Sequence, residues 1–244
     1  MSQTDYTPQQ LAWAAELHRC RADFAYAANH YLSIKTKQTI GLSPLRFNRV
    51  QARLWAAMAD QLRRTGQIRQ IWGKSRQVGS STLSRAFSFW NCAFRPNRNA
   101  ILIAHDEPSS YELFTIDKLM YEQLPKALKP KTSFDSKFKL EFPALNSKIV
   151  VGHARNMNVG ASQMSHIAHL TEVARYPNPD EVQASLFPAF SDARGQQDYS
   201  AIILESTSHF NGAWFKEFAE QAQRGENGFE FHFVPWFEHE DYTL

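Results

Sequence analysis

The run Lys74-Ser75-Arg76-Gln77-Val78-Gly79-Ser80-Ser81-Thr82 constrains this chain more than any other stretch, because of what flanks it. Residues 67–72 are β-compatible, and residues 81–94 place Leu83, Ala86, Phe87, Trp90 and Phe94 on one helical face. A glycine-bearing turn between a strand and a helix aims backbone N–H groups at one spot, where the helix dipole adds partial positive charge. Such a turn binds anions. The common phosphate-loop pattern is Gly, four residues, then Gly-Lys-Ser/Thr. With Gly79 as the second glycine, Lys74 takes the place of the first, Ser80 that of the lysine, and Ser81 that of the hydroxyl that would hold magnesium. The positive charge has moved to the front of the loop, where Lys74 and Arg76 both have the reach to meet terminal phosphates. Taken alone, the nonamer reads equally well as a surface turn with ordinary basic residues.

The chain has 244 residues, 43% of them hydrophobic, which is enough to bury a full core in one domain, or in one domain with a helical appendage. A net charge of +3 does not announce a nucleic-acid binder. The local distribution says more, since Arg46, Arg49, Arg53, Arg63, Arg64, Arg69, Lys74 and Arg76 fall close together. Solvated helix faces account for such arginines as well as phosphate binding does. Cys20 and Cys92 lack metal-type spacing and read as buried small hydrophobes, which fits a reducing cytosol. No apolar run approaches the roughly 20 residues that span a bilayer, and the first residues lack the basic and apolar regions of a signal peptide. The expectation is a soluble, intracellular chain.

Residues 8–32 read as helical, residues 36–43 as a break, and residues 44–65 as a second helix with Ser43 as cap and Pro44 in the first turn. From Gln67 onward strand and helix signals alternate. Strands are expected at 67–72, 100–104, 166–171, 200–205 and 229–234. A β-hairpin is expected over 138–142 and 148–153. Helices are expected at 179–187, at 213–224 and after residue 104, the last with Ser109 and Glu112 spaced as a capping box. This alternation predicts an α/β fold with a mainly parallel central sheet.

Open α/β sheets bind ligands beyond the carboxyl ends of their strands. The polar residues there are the Lys74 loop, His105 with Asp106, Thr171 with Glu172, and Ser206 with Thr207. An ATPase needs a carboxylate near the metal and the attacking water. Glu172, after the apolar stretch 167–170, would orient or deprotonate that water. Thr171 stands where a metal-side aspartate is usual, and its hydroxyl can still reach the metal through one of its waters. A rival reading takes His166, His169 and Glu172 as zinc ligands, which works on a helix but not on a strand, where His166 and His169 point oppositely. No Gly-x-Ser-x-Gly turn signals a nucleophilic hydrolase.

In this order the elements resemble the N-terminal ATPase of the large terminase subunit, the DNA-packaging motor of tailed bacteriophages and prophages. Lys-x-Arg-Gln-x-Gly-x-Ser-Thr looks like the family's variant phosphate loop, with the lysine at the front. The run from His169 to Ala174 looks like its second ATPase motif, in which Ser or Thr often precedes the glutamate. Glu205-Ser206-Thr207, followed by Asn211-Gly212, is similar to its coupling motif, and Gln51 lies where the family reads adenine with a glutamine. The segment from Phe233 to Phe237, then Tyr242, resembles the exit from the ATPase toward a nuclease.

The resemblance implies a P-loop NTPase of the ASCE or RecA-like kind, with an N-terminal helical extension over 1–43 and the ATPase domain over 44–244. It implies ATP and Mg2+ as cofactors. Gln51 and the loop residues Lys74, Ser75, Arg76, Gln77, Val78, Gly79, Ser80, Ser81 and Thr82 would bind nucleotide, and Ser81 would meet the metal. Glu172 would be the base, Arg76 a charge-stabilising arginine with Arg155 as a candidate in trans, and Ser206 and Thr207 the coupling pair. Double-stranded DNA, a portal protein, a small terminase subunit and further copies in a ring are the implied partners, in host cytoplasm and at the procapsid. The nuclease that follows in this family is absent from these residues, so the expectation is a fragment or truncated product without nuclease activity. A helicase-like DNA-dependent ATPase and a catalytically silent DNA-binding or assembly module are the competing readings.

Overall fold

The computed structural model describes residues 6–36, 41–156, 164–190, 194–195, 197–210 and 212–242. Its spine is an eight-stranded sheet in the order β10-β3-β9-β8-β4-β7-β6-β5. The strands are β3 (Ile68–Lys74), β4 (Asn99–Ala104), β5 (Phe134–Asp135), β6 (Lys139–Phe142), β7 (Ser147–His153), β8 (Ile167–Thr171), β9 (Ala201–Ser206) and β10 (Glu230–Val234). The six from β10 to β7 run parallel, while β6 pairs antiparallel with both β7 and β5. The expected parallel sheet and hairpin are therefore both present.

Helices cover both faces, and strand alternation sorts the side chains between them. Ile68, Trp72, Leu102, Ile167, Ala201 and Ile203 face one cluster, whereas Ile71, Ile101, Ile103, Leu170, Ile202 and Leu204 face the other. The first cluster is packed by α3 (Arg49–Thr65), α4 (Ser80–Phe94) and α5 (Glu107–Gln123); the second by α6 (Pro179–Leu186) and α7 (Ala213–Gln223). Every residue of α4 from Leu83 to Phe94 is buried, so this helix lies inside the molecule and does not present the single apolar face that its spacing suggested. Three of its buried polar side chains find partners, while Ser84 Oγ and Arg85 Nη1 have none. The Ser88 hydroxyl donates to the Ser84 carbonyl at 2.9 Å, the Asn91 amide donates to the Phe87 carbonyl at 2.9 Å, and Arg85 forks onto Asp117 of α5 with two bonds of 2.8 Å.

Three boundaries differ from expectation. The stretch 8–32 is two helices, α1 (Pro8–Ala22) and α2 (Phe24–Tyr31), because Asp23 is extended and its carboxylate accepts the Tyr26 N–H at 2.9 Å, restarting the helix. Residues around Pro44 are not helical. They form β2 (Leu42–Pro44), antiparallel to β1 (Ser33–Lys35), and α3 starts only after Asn48. There Asn48 and Gln51 make a reciprocal capping box, with bonds of 2.8 and 3.0 Å, that satisfies two backbone donors where Ser43 would satisfy one. In α5 the cap is Asp106, which accepts the Ser109 N–H at 2.9 Å, so Ser109 sits inside the helix and not at its cap.

The N-terminal helices share the main core. Cys20, Phe24, Ala27 and Ala28 belong to the same buried cluster as α4, the Phe24 ring meets Phe87 edge-on at 5.4 Å, and Trp90 Nε1 donates to the Cys20 carbonyl at 2.6 Å. Among the described residues no helix is long and apolar enough to cross a membrane.

Candidate functional site

The parallel strands β3, β9 and β8 end together, with Gly73 beside Ser206 and Thr171 beside Glu205. The loop from Lys74 to Gly79 leaves this edge and enters α4. Gln77 and Gly79 both have positive φ, 62° and 83°, which tightens the turn. At Gly79 space as well as φ demands glycine, since an added Cβ would lie 2.7 Å from Gln51 Nε2 and 3.0 Å from Asn48 Nδ2. No side chain caps α4, the geometry in which a helix start can take an anion. Ser80 and Ser81 open the helix there, and Thr82 follows.

The capping box of α3 also braces this loop. Asn48 Nδ2 donates to the Val78 carbonyl at 3.2 Å and Gln51 Nε2 donates to the Gly79 carbonyl at 2.9 Å. Gln51 thus lines the cleft with its amide already engaged on the loop. The cleft has a volume of about 500 Å3, and its walls include Lys74, the residues from Gln77 to Thr82, Phe47, His239 and Tyr242. Lys35 and Arg46 add positive charge to its rim. Ser75 faces the neighbouring strand, its N–H donating to the Val234 carbonyl at 2.9 Å, and the Arg76 side chain is exposed.

Charge converges on the end of β3. Lys74 Nζ donates to Glu172 Oε1 at 3.1 Å, and the Thr207 hydroxyl donates to Glu172 Oε2 at 3.0 Å. Glu172 itself is held in the left-handed region, φ 54° and ψ 41°, a conformation unusual outside glycine and concentrated at functional turns. Ser206 fastens that turn to β9, accepting the Ala174 N–H at 3.1 Å and donating to the Thr207 carbonyl at 2.9 Å. Burial works against the charge of Lys74, but Glu205 first and Glu172 next more than compensate, so its ammonium is held more tightly than usual. Glu172, Lys74, Ser206 and Thr207, far apart in sequence, therefore form one connected group. Asn211 of the expected coupling motif lies outside the described residues.

Glu205 was read from sequence only as the first residue of that motif, yet it is the most enclosed carboxylate near the loop. Alternation in β9 turns it, like Ile203, toward α4, and alternation in β8 turns His169 and Thr171 the same way. Its Oε1 accepts from the Ser81 hydroxyl, from the Thr171 hydroxyl at 3.0 Å and from His169 Nε2 at 3.0 Å. Burial disfavours its charge, but the Lys74 ammonium and then His169 outweigh that and hold the carboxyl far below the usual range. His169 is pushed down by burial despite the Glu205 bond, and donates through Nε2–H because a carboxylate only accepts.

The zinc triad is not brought together. His166 precedes β8 and its Nδ1 accepts the Asn99 N–H at 3.2 Å, while Glu172 lies past the other end of the strand. His105 and Asp106 serve the start of α5. Arg155 is exposed beyond the end of β7, on the same edge of the sheet.

These features define an open α/β sheet with a phosphate-loop geometry, in which one strand, β9, lies between the loop strand β3 and the Glu172 strand β8. Among solved structures, phage large terminases are similar to this chain in fold. The chain superposes on the HK97 bacteriophage large terminase with a TM-score of 0.68 at 13% identity, covering 88% of this chain and 43% of that one. The Thermus phage P74-26 large terminase ATPase domain matches with a TM-score of 0.56 at 16% identity over 74% of this chain and 81% of its own length. A large terminase from a thermophilic bacteriophage, solved in complex with ATP-gamma-S, matches at 0.55 and 12% over 81% of this chain. This chain thus spans less than half the length of the HK97 protein. No protein-family model matches the chain.

Proposed function

We propose that this chain is the ATP-hydrolysing domain of a phage DNA-packaging motor, using ATP and Mg2+ to drive double-stranded DNA into a procapsid. One observation carries the reading: an uncapped helix N-terminus, a lysine and a glutamate at the ends of strands that flank β9, and a hydroxyl pair at the end of β9 itself form one connected group beside a cleft. The loop N–H groups from Gln77 to Ser80 and the start of α4 cradle phosphate oxygens. Lys74 exchanges one Glu172 oxygen for phosphate, and Arg76 adds charge from the exposed side of the loop. Ser81 and, through a water, Thr171 are the hydroxyls that would hold magnesium, which would supply charge neutralisation at the phosphates.

Glu172, once Lys74 has turned to phosphate, keeps its Oε2 on Thr207 and has Oε1 available to orient or deprotonate the attacking water. Ser206 and Thr207 tie Glu172 to β9, so a change at the phosphate is felt in the coupling segment. Gln51 lies on the base side of the loop and reads adenine if its amide leaves Gly79. The likeness to large terminases supports portal protein, small terminase subunit and neighbouring copies in a ring as partners, with Arg155 on the edge that a neighbour would meet, in host cytoplasm at the procapsid.

The test is nucleotide binding by the chain. Fluorescent ATP analogue should bind in the presence of Mg2+ and be lost, by about tenfold or more in affinity, in Lys74→Ala. Equal binding by parent and variant would show that this loop is not the phosphate site.

A further inference from the structure

A large negative charge is needed near the metal of a phosphate-loop site, and β8 offers only Thr171 where an aspartate is usual. The neighbouring strand supplies a carboxylate at the same level, since Thr171 and Glu205 are paired across β8 and β9. Glu205 Oε1 receives the hydroxyl protons of both Ser81 and Thr171, the two hydroxyls assigned above to the metal. A hydroxyl that donates its proton to a carboxylate turns its lone pairs outward, which suits it to a cation.

The second oxygen carries the inference. Glu205 is completely buried, and its Oε2 makes no hydrogen bond of normal geometry, although the Ser80 side chain helps to hold the carboxylate's charge. A carboxylate whose only task is to fasten α4 to the sheet has no reason to keep an ionised oxygen buried and unsatisfied. The donor set fits magnesium: hard oxygen atoms only, few from protein, the rest left to phosphate and water.

We propose that Glu205 replaces the missing β8 aspartate, its Oε2 accepting a hydrogen bond from a water on the nucleotide's magnesium ion. This rests on the ATPase reading above and names the residue that completes it. Glu172 and Glu205 then have separate tasks, one toward the attacking water and one toward the metal. The swap also explains how β8 tolerates threonine.

The test is metal affinity, measured by electron paramagnetic resonance with Mn2+ titrated into the full chain at saturating ADP. Glu205→Gln should weaken Mn2+ binding about 10–100-fold while leaving ADP binding in EDTA unchanged. Thr171→Asp combined with Glu205→Gln should restore most of the affinity by returning the carboxylate to β8. Undiminished Mn2+ binding in folded Glu205→Gln would overturn the proposal and leave the ATPase reading standing, whereas absence of metal-dependent ADP binding in the parent would overturn both. Should the variants not fold, a crystal structure of the parent with Mg2+ and ADP decides. Glu205 Oε2 about 2.5–3.0 Å from a magnesium-bound water supports the assignment, and Oε2 turned onto a protein donor refutes it.

Discussion

Two ion pairs flank helix α4, one enclosed and one half-buried, and they are built for opposite ends. Arg85 and Asp117 are wholly enclosed and joined by two bonds of 2.8 Å in a fork that leaves neither group free to turn. Lys74 and Glu172 share one bond of 3.1 Å, at the sheet edge, where the glutamate side chain is 22% exposed and the lysine 8%. The first pair is closed through Arg85 Nε and Nη2, with Nη1 buried and without a partner. The second is a single, exchangeable contact whose members also face Glu205, Thr207 and the cleft. Burial alone therefore does not separate the two pairs; the proposed site is the one whose contact a ligand can replace.

The largest expected effect separates the pairs by stability. Arg85→Met strands a buried carboxylate and should cost about 3–5 kcal/mol in urea denaturation, while Arg85→Met with Asp117→Leu should regain most of it. An equal loss in the double variant would mean that the pair holds the fold by more than mutual neutralisation. At the other pair, Lys74→Ala removes a single, partly solvated bond to Glu172 together with the main counter-charge of buried Glu205, and should cost about 1–2 kcal/mol, less than Arg85→Met. Destabilisation as large as that of Arg85→Met would erase the distinction. Between these lies Gly79→Ala, expected to cost about 1–3 kcal/mol through its left-handed backbone and to weaken nucleotide binding together with it. The smallest effect is a null. Cys92, on the enclosed side of α4, is buried and its thiol is pushed up by that burial, and Cys20 is pushed up to about 12. Neither should react with iodoacetamide in the folded parent at pH 8, as read by mass spectrometry, whereas opening of the Arg85→Met variant should expose Cys92.

The same contrast explains what could be read from sequence. Strands β3, β4, β8, β9 and β10 were legible because apolar runs and their polar ends are local signals. Gly79 and the Lys74 loop were legible for the same reason. The β1–β2 pair was not, since three-residue strands carry no usable alternation, and the Ser43-Pro44 pattern imitated a helix start. Asn48-x-x-Gln51 is itself a capping pattern, but the Ser43-Pro44 signal five residues earlier competes with it. Glu205 could be placed at a strand end from its sequence. That it faces α4 and meets Ser81, 124 positions away, follows only from the register of β9 against β8 and β3. Long-range pairing of that kind has no local signature. The resemblance named the phosphate loop and the glutamate of β8, but a motif that assigns Glu205-Ser206-Thr207 to coupling does not ask what its first residue touches.

The most direct test of the central claim is single-turnover hydrolysis by Glu172→Gln in the full chain with Mg2+, alongside nucleotide affinity. General-base roles of this kind contribute about 10²–10⁴-fold, so the rate should fall by that factor while ATP binding persists. Undiminished hydrolysis in Glu172→Gln would contradict the assignment of this strand end as the catalytic edge.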